Sequence, residues 1–367
     1  MSTNPAPSRD ATVDTLRGLA IGAMVWGHLG VAIYHPEGRG EPETALVELP
    51  PLWTEVIGGA APPLFLFVSG MMVHYVAQLG SPLRRQLLRM LGLLAVGAGI
   101  DVLFWRIRPF TTVDVLYCIA LVLPLTHLFV RLVPHRAKAP LAALVLAITP
   151  WLQRVLGYSD YPTEMSLGGH VFQTIKNQTS ILHHWLIDGW FPLFPWLGFA
   201  LLGAFVAERR FGPVSASQIP PSQITLHRPD RLLGGLGAAS LTAGLLLGWP
   251  DSAARIEARL RVGGAFMPPD AGYLLVSVGL VGLALVTLDA LPHLAALRPI
   301  ELLGNHPLLV YVGHFPLVKI VARLLPQRLT LLPTILVILT ALGAMALGLL
   351  LWRRLLGLAR ERWSPTR

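Results

Sequence analysis

Charge and cysteine are what this sequence is short of. Only 13% of its 367 residues are Asp, Glu, Lys or Arg, against about a quarter in soluble domains. So few charges leave a globular surface poorly solvated, and a soluble domain is excluded as the simplest reading. A single cysteine, Cys118, excludes an internal disulfide and a cysteine-based zinc site. None of the 12 histidines forms an H-x-x-x-H pair, so no metal is expected. No cleavable signal-peptide pattern opens the chain, and its first apolar segment is expected to remain as a membrane span.

Apolar residues fill the gap: they make up 53% of the chain. Runs of roughly 20 of them, the length that crosses about 30 Å of hydrocarbon, predict an all-α polytopic membrane protein with about ten spans. Their expected limits are 14–34, 56–78, 84–105, 114–133, 138–156, 190–207, 231–249, 271–290, 300–322 and 331–353. Pro62-Pro63 should break the second and Pro192 and Pro195 the sixth, while the fifth is short enough to be interfacial. In a soluble chain the net charge of +9 would suggest nucleic acid; here the cations read as topology. With the N-terminus inside, the inner segments hold 18 of the 29 Lys and Arg, so both termini are expected in the cytoplasm. The first outer loop, with five glutamates and one arginine, agrees; the outer loop carrying Arg255, Arg259 and Arg261 fits poorly. The expected organisation is a disordered tail (1–12), one transmembrane domain (13–355) with a cytoplasmic Pro/Ser-rich linker (208–230), and a basic tail (356–367).

Within the spans, the ionisable residues carry the information. In "RGLAIGAMVWGH" ten residues separate Arg17 from His28. Eleven helical steps make three turns plus about 20°, so both share a stripe, roughly 16 Å apart along the axis. Asp14 lies on the same stripe. Arg17 can snorkel to lipid phosphates or pair with Asp14, but His28 is too deep for that, and an ionisable group at such depth marks a functional site. "ELLGNHPLLVYVGH" repeats the pattern: a glycine ten residues before the histidine and another directly before it, Gly304 and Gly313 matching Gly18 and Gly27. His28 and His314 are therefore expected at one depth. His306, with Asn305 and Pro307, reads as a helix start. His183, His184 and Asp188 lie just outside the proline-broken sixth span, and Asp114 and Tyr117 open the fourth as interfacial anchors. Arg84, Arg85 and Arg89 suit either positive-inside anchoring or a polyphosphate.

These residues resemble a known family. "VDTLRGLAIGAMVWGH" is similar to the opening of transmembrane acyltransferases, a superfamily that includes heparan-alpha-glucosaminide N-acetyltransferase-like and acyltransferase-3 proteins. Arg17 and His28 occupy the arginine–histidine spacing of the acyltransferase-3 branch. "APPLFLFVSGMMV" resembles the second-helix motif, and "LRRQLLRML" the basic segment after it. "IDGWFPLFPWLGFALLG" and "LLGNHPLLVYVGHFPL" are similar to segments of bacterial relatives of the heparan enzyme, with Trp190 in place of the usual tyrosine. The resemblance implies transfer of an acyl group, in the first instance acetyl, from cytoplasmic acetyl-CoA to a hydroxyl or amine of a sugar, glycan or lipid-linked acceptor at the outer face of a cell inner membrane. Arg17, Asp14, Arg84, Arg85 and Arg89 would then bind the donor, and His28, His314 and Asp188 would be catalytic. His35, the only match to the heparan enzyme's loop histidine, is the alternative base. Membrane lipids are implied partners, nucleic acid is not, and a homodimer is an open assembly. A secondary transporter of a polar or anionic solute accounts for broken helices and midplane charges equally well.

Overall fold

A computed structural model describes residues 10–34, 52–111, 113–158, 180–212, 230–250, 269–291, 297–325 and 329–362. Among them eight helices are long and apolar enough to cross a membrane, and nine when the bent pair Ile181–Asp188 and Leu193–Phe211 counts as one broken span. The protein is an all-α polytopic membrane protein. The remaining expected span is a helix of 16 residues, Arg231–Leu246, which is apolar but reaches only about 24 Å. The fifth is not short: it starts at His135, ahead of the expected limit, and runs 22 residues to Leu156.

The helices in chain order are α1 (Ala11–Tyr34), α2 (Leu52–Gly59), α3 (Ala61–Gln78), α4 (Leu83–Ile100), α5 (Val115–Leu132), α6 (His135–Leu156), α7 (Ile181–His183), α8 (Leu193–Phe211), α9 (Arg231–Leu246), α10 (Ala271–Ala290), α11 (Arg298–Asn305), α12 (Pro307–Leu324) and α13 (Leu331–Arg362). A π-helical turn, Asp101–Trp105, continues α4, and a second, His184–Asp188, continues α7. The second expected span is broken beside Pro62 and Pro63. They sit in the first turn of α3, where a missing N–H costs nothing, and the interruption falls just upstream at Ala60. α8 and α13 continue past the limits expected from composition, into the anticipated linker and basic tail. His35, the first nine residues and most of the 208–230 linker lie outside the described residues.

The chain divides into two compact units. The first holds residues 1–10 and 62–290, and within it α4 packs on α5, α6 and α5 on α8, and α9 on α10. Its ionic ties are concentrated at one end of α8. Buried Arg210 donates to both carboxylate oxygens of Asp10 and both of Asp289, at 2.6–3.1 Å, a pairing that satisfies the guanidinium fork. Lys138 donates to Glu208 at 2.6 Å, both side chains being almost fully buried. Asp230 caps α9 by accepting from the N–H groups of Leu232 and Leu233. Partial burial works against its charge, but Arg209 and these donors prevail and hold its carboxyl below the usual range.

The second unit holds residues 11–61 and 291–367. Here α1 packs against α2, α11, α12 and α13. One close crossing is at Gly18 and Gly304. A Cβ on Gly18 would collide with the Ile300 carbonyl, and one on Gly304 with the Asp14 carbonyl. Two glycines thus let α1 and α11 meet backbone to backbone.

Candidate active site

The Gly18–Gly304 crossing fixes a common origin for two helices. Arg17 reinforces it, donating one guanidinium nitrogen to Asp14 Oδ1 at 3.2 Å and to the Gly304 carbonyl at 3.0 Å. From that origin, ten residues along α1 lead to His28. Ten residues from Gly304, past the break at His306, lead to His314 on α12. The two imidazoles meet: their ring centroids are 4.8 Å apart and the planes differ by 30°. Phe315 closes one side, 4.1 Å from the His314 ring and 6.4 Å from His28. Tyr311 stands edge-on to His314 at 5.3 Å.

The two rings are held differently. His314 is fully buried. Its Nδ1 pairs with the Tyr311 carbonyl one turn back. A carbonyl only accepts, so the proton of the neutral ring sits on Nδ1 and the lone pair on Nε2. That Nε2 is buried and has no hydrogen-bond partner within the protein. His28 bonds the Met24 backbone, yet its ring stays exposed. Two positive rings at 4.8 Å would repel by ~3.5 kcal/mol at an effective dielectric of about 20, so the pair carries at most one positive charge. On the neighbouring face of α1, Gly27 touches Gly58 of α2 backbone to backbone. There the Trp26 and Trp53 rings pack edge-to-face at 5.6 Å.

Other residues singled out in the sequence fall into distinct settings. Asp14 and Arg17 pair with each other, and Arg17 bridges to α11, so the structural part of their reading is realised. Pro307 occupies the first position of α12, as expected of a helix start, but the His306 side chain makes no capping bond. Arg84, Arg85 and Arg89 lie in the first unit, on the exposed surface of α4. Arg85 and Arg89 are one turn apart, and Arg84 points away from the packed side that buries Gln86 and Gly97. Asp188, also in the first unit, is fully buried, and its Oδ1 is hydrogen-bonded to His184 Nδ1 at 2.8 Å; His183 Nδ1 lies 2.9 Å from the same oxygen without hydrogen-bond geometry.

Tyr117 is not an interfacial anchor. It is fully buried and donates to Asp101 Oδ2 at 2.5 Å, and its ring fills the space left by Gly97. Sequence reading passed over Asp101 because an acid at the end of an apolar run looks interfacial. The available signal was the Asp101–Tyr117 separation: the turn between α4 and α5 is short enough to bring a helix end back onto the next helix start.

No curated protein matches the chain. A family model described as heparan-alpha-glucosaminide N-acetyltransferase, catalytic, matches residues 9–246. That segment contains Arg17, His28, the α4 arginines and Asp188, and His314 lies beyond it. With well over half of its length matched, the chain belongs to the heparan-alpha-glucosaminide N-acetyltransferase catalytic family.

Proposed function

We propose that this protein transfers an acyl group, acetyl in the first instance, from acyl-CoA on the cytoplasmic side to a hydroxyl or amine of a saccharide acceptor on the outer side of a cell membrane. The observation that carries the reading is the His28–His314 stack, an exposed imidazole backed by a buried one, reached along α1 from the Arg17 crossing. His28 takes the proton from the acceptor O–H or N–H. The freed oxygen or nitrogen attacks the thioester carbonyl and the C–S bond breaks. The coenzyme A thiolate leaves and recovers a proton from the histidine pair. A positioned base of this kind contributes about 10²–10⁴-fold. His314 acts on the same proton, with Nε2 as its lone-pair nitrogen. On the donor side, Arg85 and Arg89 offer paired charge-assisted bonds to the coenzyme A phosphates. Arg17 contributes mainly by holding the crossing from which both histidines are placed.

The test uses full-length protein in nanodiscs, radiolabelled acetyl-CoA and a panel of amino sugars and glycans. Label should pass to at least one acceptor, and His28→Phe should lower the rate at least about 100-fold, whereas His35→Ala should not. Solute uptake by proteoliposomes without acyl-CoA, and no label transfer, would replace the enzyme with a transporter.

A further inference from the structure

Irregular backbone in the first unit gathers at one place. Both π-helical turns among the described residues are there, a form found in well under 1% of residues and often at functional sites. Between α4 and α5, three non-glycine residues, Arg106, Phe110 and Val113, adopt φ of 55°, 69° and 57°. For β-branched Val113 that conformation is a real outlier. Such strain persists only where the surroundings enforce it. Here Phe191 donates to the Val113 carbonyl at 2.9 Å, and Trp185 Nε1 donates to the Phe110 carbonyl at 3.0 Å.

The enforced turn builds a rack of rings. Phe110, Tyr117 and Trp185 lie 5.2–6.4 Å apart, centroid to centroid. Tyr117 is buried at the base and tied to Asp101. Phe110 keeps 41% of its surface exposed, and Trp185 is half-buried. Trp185 lies inside the π-helical turn whose two ends, His184 and Asp188, form a buried pair. Two exposed arginines, Arg106 and Arg108, stand in the same turn as Phe110, just ahead of it. In the topology proposed above this turn is on the outer side, where arginine is disfavoured. Directly before them the wall is apolar and open, with Leu103 at 74% and Trp105 at 39% exposure.

We propose that this rack binds a lipid-phosphate-linked saccharide. The sugar ring stacks on Phe110 and Trp185, the phosphate is met by Arg106 and Arg108, and the hydrocarbon tail lies along Leu103 and Trp105. Along the chain the order of these residues, apolar, then cationic, then aromatic, is the order of tail, phosphate and sugar in such a molecule. As an identity for the acceptor this rests on the acyl-transfer reading; as a binding site it does not.

The test measures binding without any acyl donor, by native mass spectrometry of the full-length protein with three probes: polyprenyl-phosphate glucose, bare polyprenyl phosphate, and soluble glucose 1-phosphate. The first should bind at least about 10-fold tighter than either of the others. Arg106→Gln/Arg108→Gln should weaken both polyprenyl probes about 10-fold or more, the loss expected for charge-assisted bonds. Phe110→Ala, at an exposed position, should erase the preference for the sugar-bearing lipid over bare polyprenyl phosphate. Equal binding of the soluble probe would remove the tail from the site. Unchanged binding in the arginine variant, or a sugar preference that survives Phe110→Ala, would overturn the assignment. Binding as described without acetyl transfer in the separate assay would defeat the acyltransferase reading alone.

Discussion

If His28 and His314 handle one proton, their losses must not multiply. The variants that test this follow from how each ring is held. His314 is fully buried, and truncating it to Ala would leave a void costing about 2–5 kcal/mol, which confuses stability with chemistry. His314→Asn is better. Its amide nitrogen stands where Nδ1 stood and can still donate to the Tyr311 carbonyl, while the Nε2 lone pair is gone. At the exposed partner, His28→Phe keeps a ring to stack on His314 and removes the proton acceptor.

The magnitudes separate the alternatives. A general base contributes about 10²–10⁴-fold, or roughly 2.7–5.5 kcal/mol. An aromatic stack contributes about 0.5–1.5 kcal/mol, no more than about tenfold, so lost stacking alone cannot imitate a lost base. Suppose each single variant is slowed about 10³-fold. Independent sites would make the double variant about 10⁶-fold slower, whereas one shared step leaves it near 10³-fold, like the worse single. Single-turnover rates with labelled acetyl-CoA for wild type, both singles and the double give the answer, with thermal unfolding as the control for folding. Multiplying losses, or a His314→Asn variant of normal rate, would refute the shared step.

Gly304→Ala should lower the unfolding temperature and the transfer rate together, because its Cβ meets the Asp14 carbonyl. Gly343→Ala, with open space around its Cβ, should change neither, and equal effects at the two positions would dismiss the crossing as a control point. In a Cys118→Ala background, cysteine at exposed Arg84 should label only from the cytoplasm and at exposed Arg108 only from outside; reversed labelling would exchange the donor and acceptor sides. Arg85→Gln and Arg89→Gln should weaken acetyl-CoA binding, each charge-assisted bond being worth about 1.5–3 kcal/mol. If both variants bind dephospho-CoA and CoA in the wild-type ratio, neither arginine reads the 3′-phosphate.

Helix existence was largely legible because long apolar runs dominate the chain, and so was the level of the two histidines, because equal spacing from a glycine survives folding. What the sequence concealed is where helices stop being regular. His306–Pro307 reads as a helix start and is one, but the apolar run around it does not reveal that a separate short helix, α11, ends there. Pro62-Pro63 marks the break in the second span, but the interruption falls before the prolines, which lie in the first turn of the next helix. Proline marks a change of backbone without saying on which side the change falls, since it is tolerated in a first turn and not beyond it. The Arg210–Asp10–Asp289 tie was invisible because it joins residues whose separation carries no periodic signal.

The break in front of α12 also explains why an arginine belongs at the foot of the first helix. A helix that stops inside a membrane leaves carbonyls without N–H partners, and lipid offers none. α11 ends at Asn305, so the Gly304 carbonyl has lost the N–H that a continued helix would supply. Arg17 donates to it from α1. A cation at a helix C-terminus also meets the negative end of the helix dipole. Asp14 balances the guanidinium in turn. The exposed end of α11 is thereby satisfied from α1, the same helix whose His28 ring lies against the His314 ring of α12. Arginine and histidine thus share a stripe on α1 and serve the two sides of one break: the first satisfies the end of α11, and the second meets the histidine of α12.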